Sequence, residues 1–374
     1  MKAKIVLPGA YNLPKYFSKL ENRKIGLVIH PCSVIDQTYL LDTLLSLKIN
    51  IQKIFVPEHG FRGNNDAGVS VENVMDEKTG IQIISLYGKH KKPSKEDLEN
   101  IDLIVFDLQD VGVRFYTYLS TLHYVMESCA EYNKELLILD RPNPNGYYVD
   151  GPVLEDDCKS FVGIHPIPIV YGLTIGEMSQ MIKGEQWISM ANELRLTVIP
   201  CQNYSHLSHY ELPIKPSPNL PNLRSILLYP SMCFFEGTIV SLGRGTKAPF
   251  QLYGHPDFMQ YDTVFTPLSI IGAKNPPFLN IECKGYSLSN SNLDSIYKQK
   301  KINLNYLISA FKNLKGRSDF FLSNNFIDLL AGTKEFRKQI QLNWTEEEIR
   351  KEWKPNIIKF KILRKKYLIY PDFE

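Results

Sequence analysis

The feature that most constrains this chain is a series of short runs that are apolar without interruption, spaced by amphipathic or polar stretches. KIGLVIH (24–30), IQKIFVP (51–57), IQIISLY (81–87), IDLIVFDL (101–108), KELLILD (134–140) and LRLTVIP (194–200) all have this character. A strand with one wet face alternates apolar and polar residues. A strand apolar throughout is covered on both sides, as in a parallel sheet flanked by helices. Helical patterns fall between the runs: near Asp36 to Leu47, from a start at Ser94 and Asp97, within about 118–132, and after Thr174. Thr174 and Glu177 form a capping-box pattern ahead of EMSQMIK. This βαβ rhythm predicts an α/β fold built on a parallel sheet.

At 374 residues the chain exceeds what one hydrophobic core usually serves, so two domains are expected. The proline-rich stretch ELPIKPSPNLPNL (211–223) suits an extended segment on a surface or at a seam, because proline fixes φ and lacks a donor. The expected division is an α/β domain over 1–203 and a smaller domain over 204–374. The terminal basic run KFKILRKK reads as a solvated face.

Composition narrows the function classes. With 44% hydrophobic and 22% charged residues, the chain is a folded, water-soluble protein rather than a disordered, collagen-like or coiled-coil one. Forty-three basic against 40 acidic residues leave a net charge of +3, without the basic block of a nucleic-acid binder, so a small-molecule or carbohydrate partner is expected. No apolar run approaches the roughly 18 residues that span a bilayer. The six cysteines are scattered without a CxxC pair and read as buried thiols. The opening MKAKIVLPGA lacks the pattern of a secretory leader, so the chain as given reads as cytoplasmic, or as periplasmic or secreted if a leader was removed. The sequence leaves oligomeric state open.

Ligands of open parallel sheets bind outside the carboxyl ends of the strands, where the exit loops gather. The exit after residue 56 reads Pro57-Glu58-His59-Gly60-Phe61-Arg62-Gly63. The next rich exit carries Asp107, Gln109, Asp110, Arg114, Tyr116 and Tyr118, and a third carries Asp140, Arg141, Asn143 and Asn145. Any one such cluster can simply brace a loop. Three on one rim predict a substrate site for acid–base work on a polar ligand. Glu58, following a proline at a strand end, is the expected proton donor, and Asp107 and Asp110 are candidates for a second carboxylate. Arg62, Arg114 and Arg141 suit a substrate carboxylate, while Tyr116 and Tyr118 suit a sugar, whose C–H faces pack on rings and whose hydroxyls reach phenols. Gly243-Arg244-Gly245-Thr246, after Glu236-Gly237-Thr238, is either a turn braced by Arg244 or a second-domain contribution to the cleft.

Other chemistries lack their signatures. No GxGxxG follows the first strand, no GxxxxGK[ST] occurs and no GxSxG elbow is present, which disfavours nucleotide cofactors and an α/β-hydrolase. His206 and His209 with Cys201 match no standard zinc spacing. Neither a cofactor nor a metal is expected.

At these residues the sequence resembles the exo-β-N-acetylmuramidase family. The resemblance rests on PEHGFRG (57–63) with Ala67-Gly68, FDLQDVGVRFYTY (106–118), LDRPNP (139–144) with Gly151-Pro152, and the Glu236 and Arg244 motifs, in order along essentially the whole chain. It implies a glycoside hydrolase that removes terminal N-acetylmuramic acid from the non-reducing end of peptidoglycan fragments. It also implies a Rossmann-like N-terminal domain, a smaller α+β C-terminal domain and a cleft between them. By resemblance Glu58 is the catalytic glutamate, and His59, Arg62, Asp110, Arg114, Tyr116 and Asp140 fall on other motif positions. The chain departs from relatives at His30-Pro31-Cys32, where they often carry Asn or Thr, so no ligand role is assigned to that loop. A non-catalytic muropeptide-binding protein, or a related exo-hexosaminidase acting on another amino sugar, would use the same cleft.

Overall fold

The computed structural model describes residues 5–58, 60 and 74–374. His59 and Arg62 of the expected site lie outside the described residues. In chain order the strands are β1 (Lys24–Ile29), β2 (Val34–Ile35), β3 (Thr38–Tyr39), β4 (Asn50–Val56), β5 (Val74–Met75) and β6 (Gln82–Ser85). They continue with β7 (Leu103–Asp107), β8 (Glu135–Leu139), β9 (Arg195–Ile199), β10 (Leu252–His255), β11 (Thr263–Phe265) and β12 (Cys283–Ser287). The helices are α1 (Phe17–Leu20), α2 (Leu40–Ser46), α3 (Tyr118–Glu131), α4 (Ile175–Gly184) and α5 (Leu223–Met232). Then come α6 (Leu293–Gln299), α7 (Asn305–Asn313), α8 (Phe326–Ala331), α9 (Glu335–Gln341) and α10 (Glu346–Arg364).

Among the described residues seven strands form one sheet in the order β5-β6-β4-β1-β7-β8-β9, parallel throughout except for the short edge strand β5. From β6 to β9 this is the Rossmann order, with its reversal between β1 and β7. The uninterrupted apolar runs are explained by burial on both faces. Leu27, Ile54, Val105 and Leu137 enter one core with α2 and the N-terminal turns, while their neighbours Val28, Phe55, Ile104 and Leu136 enter another with α3 and α4.

The C-terminal part is α+β, with the antiparallel sheet β10-β12-β11 beside α5 to α10. The core under α3 and α4 runs without a break into this part, reaching Phe234, Phe336, Trp353 and Phe360. Arg350 adds a bidentate pair to Asp150, both bonds at 2.8 Å. The two parts are thus fused over a shared core rather than hinged. The strand ending at Ile199 and the proline-rich 211–223 segment bracket the expected boundary at 203/204.

One expected helix is absent. Ser94 and Asp97 exchange the predicted capping bonds, yet residues 95–100 form only successive turns, and Asn100 at φ 59° redirects the chain into β7. The helix near Asp36 to Leu47 shortens to α2, because residues 34–39 pair as the β2–β3 hairpin.

Candidate active site

The strand-order reversal is not where the open pocket lies. Ser33, just beyond β1, donates to the carbonyl of Asp107 at the end of β7, and Gln109 N–H donates to His30 Nε2 at 2.8 Å. These bonds tie the β1 exit to the β7 exit across the strand-order reversal.

A pocket of about 230 Å³ opens instead on the β4–β6 side of the rim, roofed by the C-terminal part. Glu58 from the β4 exit and Tyr87 from the β6 exit line it, with the Tyr87 phenol within hydrogen-bonding reach of the Glu58 carboxylate. Burial, together with that carboxylate, pushes the Tyr87 hydroxyl up to about 12, so it stays a donor. Tyr116 and Tyr118, at the start of α3, supply a wall of rings 4.7 Å apart. The Tyr116 hydroxyl donates to Pro216 O at 3.0 Å, tying the proline-rich segment across the opening. Ser217 and Asn219 of that segment face the pocket, and Asn219 is anchored by donating to Gly272 O.

The opposite wall comes from the residues after α5. Glu236 and Arg244 line the pocket as an ion pair, and the Cys233 thiol donates to the second Glu236 oxygen at 3.7 Å. Burial pulls the Arg244 guanidinium down, but the Glu236 carboxylate more than offsets it, so its pKa is raised. Arg244 also lies over the Phe250 ring at 5.3 Å. Gly245 takes φ 82° to hold this turn, where a Cβ would stand 2.6 Å from Leu268 O. Of the two readings of this motif, the cleft contribution is the one the geometry supports.

Four expected site residues, Glu58, Tyr116, Tyr118 and Arg244, therefore share one pocket. Six others do not line it. Asp107 is fully buried in a bidentate pair with Arg141, at 2.6 and 2.8 Å. Asp140 accepts from Thr174 Oγ1, Gly176 N, Arg141 N and Tyr370 O–H, which clamps the start of α4 and the C-terminal segment to the sheet. Burial raises its pKa to about 6 despite those donors. Asn143 bridges Asn145 N and Leu173 O, packed so closely on Gly112 that a Cβ there would meet its amide at 2.0 Å. Gly112, at φ 77°, is required by this contact.

Arg114, expected on a substrate carboxylate, donates instead to four carbonyls: Pro152, Ile167, Leu330 and Ala331. Burial without a carboxylate lowers its pKa to about 9. It joins the two parts of the chain. Asp110 accepts from Gly112 N and Tyr171 O–H, within electrostatic reach of Tyr116 and Tyr118. Both Asp107 oxygens and Asp110 Oδ2 are taken up by neighbouring protein groups, and neither residue lines the Glu58 pocket.

Sequence reasoning missed Tyr87, Ser217, Asn219 and a site role for Glu236. Tyr87 follows the IQIISLY run, so the strand-exit rule applied to that run would have found it. Glu236 was visible within its motif but not as a pocket carboxylate. Ser217 and Asn219 sit in a segment whose path over the rim is fixed by tertiary contacts alone. Among the described residues no group of three or more His, Cys, Asp or Glu side chains is placed to hold a metal ion, and no helix is long and apolar enough to cross a membrane. All six cysteines are buried and unbridged.

Two carboxylates, a guanidinium and tyrosine walls around a pocket of this size suit acid–base cleavage of a sugar bond, and the class is that of a two-part α/β glycosidase. Residues 25–224 match the family model described as exo-β-N-acetylmuramidase NamZ, N-terminal, and residues 227–370 match its C-terminal counterpart. The chain belongs to the exo-β-N-acetylmuramidase family. It is 36% identical to the peptidoglycan β-N-acetylmuramidase NamZ of Bacillus subtilis strain 168, over 96% of this chain and 89% of that protein. Two crystal structures of Bacteroides fragilis proteins described as DUF1343 family members share the fold. One is 48% identical with a TM-score of 0.92, covering 99% of this chain and 100% of the other. The second is 28% identical with a TM-score of 0.81, covering 98% and 99%.

Proposed function

We propose that this protein removes a terminal β-linked N-acetylmuramic acid from the non-reducing end of peptidoglycan fragments, with Glu58 as the proton donor. The observation that carries the proposal is the placement of Glu58 opposite the Glu236–Arg244 pair in a pocket of about 230 Å³, the scale of one sugar rather than of a chain. A pocket of that size suits exo action better than a long groove would. The Glu58 proton passes to the glycosidic oxygen as the C1–O bond breaks. Water then adds to C1, and its proton goes to a carboxylate. Glu236, held by Arg244 and Cys233, is the second carboxylate, facing the positive charge that develops at C1. Arg244 is the described arginine of the pocket, and it reads the lactyl carboxylate that distinguishes muramic acid from glucosamine.

The test is release of chromophore from a para-nitrophenyl N-acetylmuraminide by wild type and Glu58→Gln, with the N-acetylglucosaminide as control. Glutamine keeps the shape and removes the transferable proton, so turnover falls about 100-fold or more. Turnover of the muraminide that survives the substitution moves the acid elsewhere. No turnover of either sugar by wild type favours a muropeptide-binding protein.

A further inference from the structure

A second cavity, of about 320 Å³, lies between the Pro152–Glu155 segment, α9 and α10, and none of its lining residues belongs to the Glu58 pocket. Two of the chain's three tryptophans, Trp344 and Trp353, line it. Both are held by rigid elements. Trp344 immediately precedes the α10 N-cap, where Thr345 and Glu348 form a full capping box, and its N–H donates to Gln339 O at 3.0 Å. Trp353 packs on Phe336 at 5.9 Å and lies under the Arg350 guanidinium, which Asp150 fixes.

Gln339 carries the strongest signal. It is only 8% exposed and lines the cavity, so its side-chain amide is presented at the cavity wall rather than on the open surface. An amide at a cavity wall offers a ligand both a donor and an acceptor. Vicinal sugar hydroxyls match that offer, and a half-buried indole beside them covers C–H surface.

The charges select among sugars. Glu155, Glu335 and Glu352 line the cavity against the single base Lys338, and Lys338 is paired with Glu335 at 2.6 Å. Glu155 is engaged by the Thr333 hydroxyl. This wall repels a carboxylate, unlike the Arg244 wall of the first pocket. We propose that the Trp344–Gln339 cavity is a second, non-catalytic saccharide site that takes an uncharged N-acetylhexosamine unit of a glycan. Taken with the proposed activity, on which the glycan's identity rests, the site holds the enzyme on the strand whose end it trims. Such tethering raises the local concentration of chain ends without new contacts at the reacting bond.

Tryptophan fluorescence tests this directly, because none of the described lining residues of the Glu58 pocket is a tryptophan. The probe is tri-N-acetylchitotriose, which has no lactyl group, titrated into Glu58→Gln protein. A saturable change is expected, weakened about tenfold by Gln339→Ala and lost in Trp344→Ala. Asn356→Ala, at an exposed lining position, weakens it without threatening the fold. In the wild-type background Gln339→Ala leaves turnover of the chromogenic muraminide unchanged and raises KM on long glycan strands. No saturable signal, or affinity in Gln339→Ala and Asn356→Ala equal to that of the parent protein, overturns the proposal. The titration needs no catalysis, so its failure is separable from failure of the activity assay.

Discussion

The Tyr87 phenol lies within hydrogen-bonding reach of the Glu58 carboxylate, linking the exits of two adjacent parallel strands at the pocket. A donor facing an ionised carboxylate favours that form. Tyr87→Phe removes that donor while keeping the ring. The alkaline limb of the kcat/KM profile on the chromogenic muraminide moves to higher pH, by about one unit for a bond worth about 1.4 kcal/mol. An unmoved limb with lower kcat would mean that Tyr87 acts on substrate and not through Glu58.

Arg244 lines the pocket beside Glu236, whereas Arg114 and Arg141 are occupied elsewhere. On the proposed function, selectivity for the lactyl-bearing sugar is expected to rest on Arg244 among the described arginines. Arg244→Ala lowers kcat/KM for the muraminide at least about 30-fold, from the loss of a charge-assisted pair worth about 2–3 kcal/mol, and changes the N-acetylglucosaminide far less. Arg244→Lys keeps the charge but loses the fork, and recovers part of the selectivity. Equal losses on both sugars would make Arg244 only the holder of Glu236.

How much of this was legible in the sequence follows from the range of each signal. The doubly apolar runs reported burial on both faces, and Val28 and Leu27 duly enter opposite cores. Glu58 was legible because a strand end fixes where the next residues emerge. The same rule over-counted at the β7 and β8 exits, where Asp107, Arg141, Asp140 and Asn143 look like a site but satisfy one another and nearby backbone. Both kinds of exit carry acids and arginines; burial is what tells them apart. Tyr370, some 230 positions from Asp140 in sequence, donates to it at 2.6 Å, a partner no local pattern reveals.

The Asp107–Arg141 pair is structural, so breaking it should act on stability. Asp107→Ala leaves a buried guanidinium unpaired and costs about 3–5 kcal/mol. Replacing both members, as Asp107→Leu with Arg141→Met, removes the orphan charge and recovers much of that loss. Chemical denaturation of the two variants decides the matter. A stable Asp107→Ala protein with abolished turnover would return Asp107 to the reaction.

Asp110 gives a pH signature of its own. Its Oδ2 accepts from Gly112 N at 2.6 Å and from Tyr171 O–H, while Oδ1 is buried with no hydrogen-bond partner. Burial raises its pKa to about 6, although the Tyr171 and Gly112 bonds pull the other way. The unfolded chain has the ordinary value near 3.9. The folded state therefore holds the proton more tightly: the stabilisation is fully present below about pH 4 and is lost as pH rises through 6, on the order of 3 kcal/mol by pH 8. Asp110→Asn stays neutral at every pH, and its one amide oxygen can accept both existing bonds. Relative to wild type its Tm rises between pH 4 and pH 8, and the titration of Asp140, common to both proteins, cancels in the comparison. A deficit of Asp110→Asn that deepens toward pH 8 would show that the ionised form is the one the fold requires.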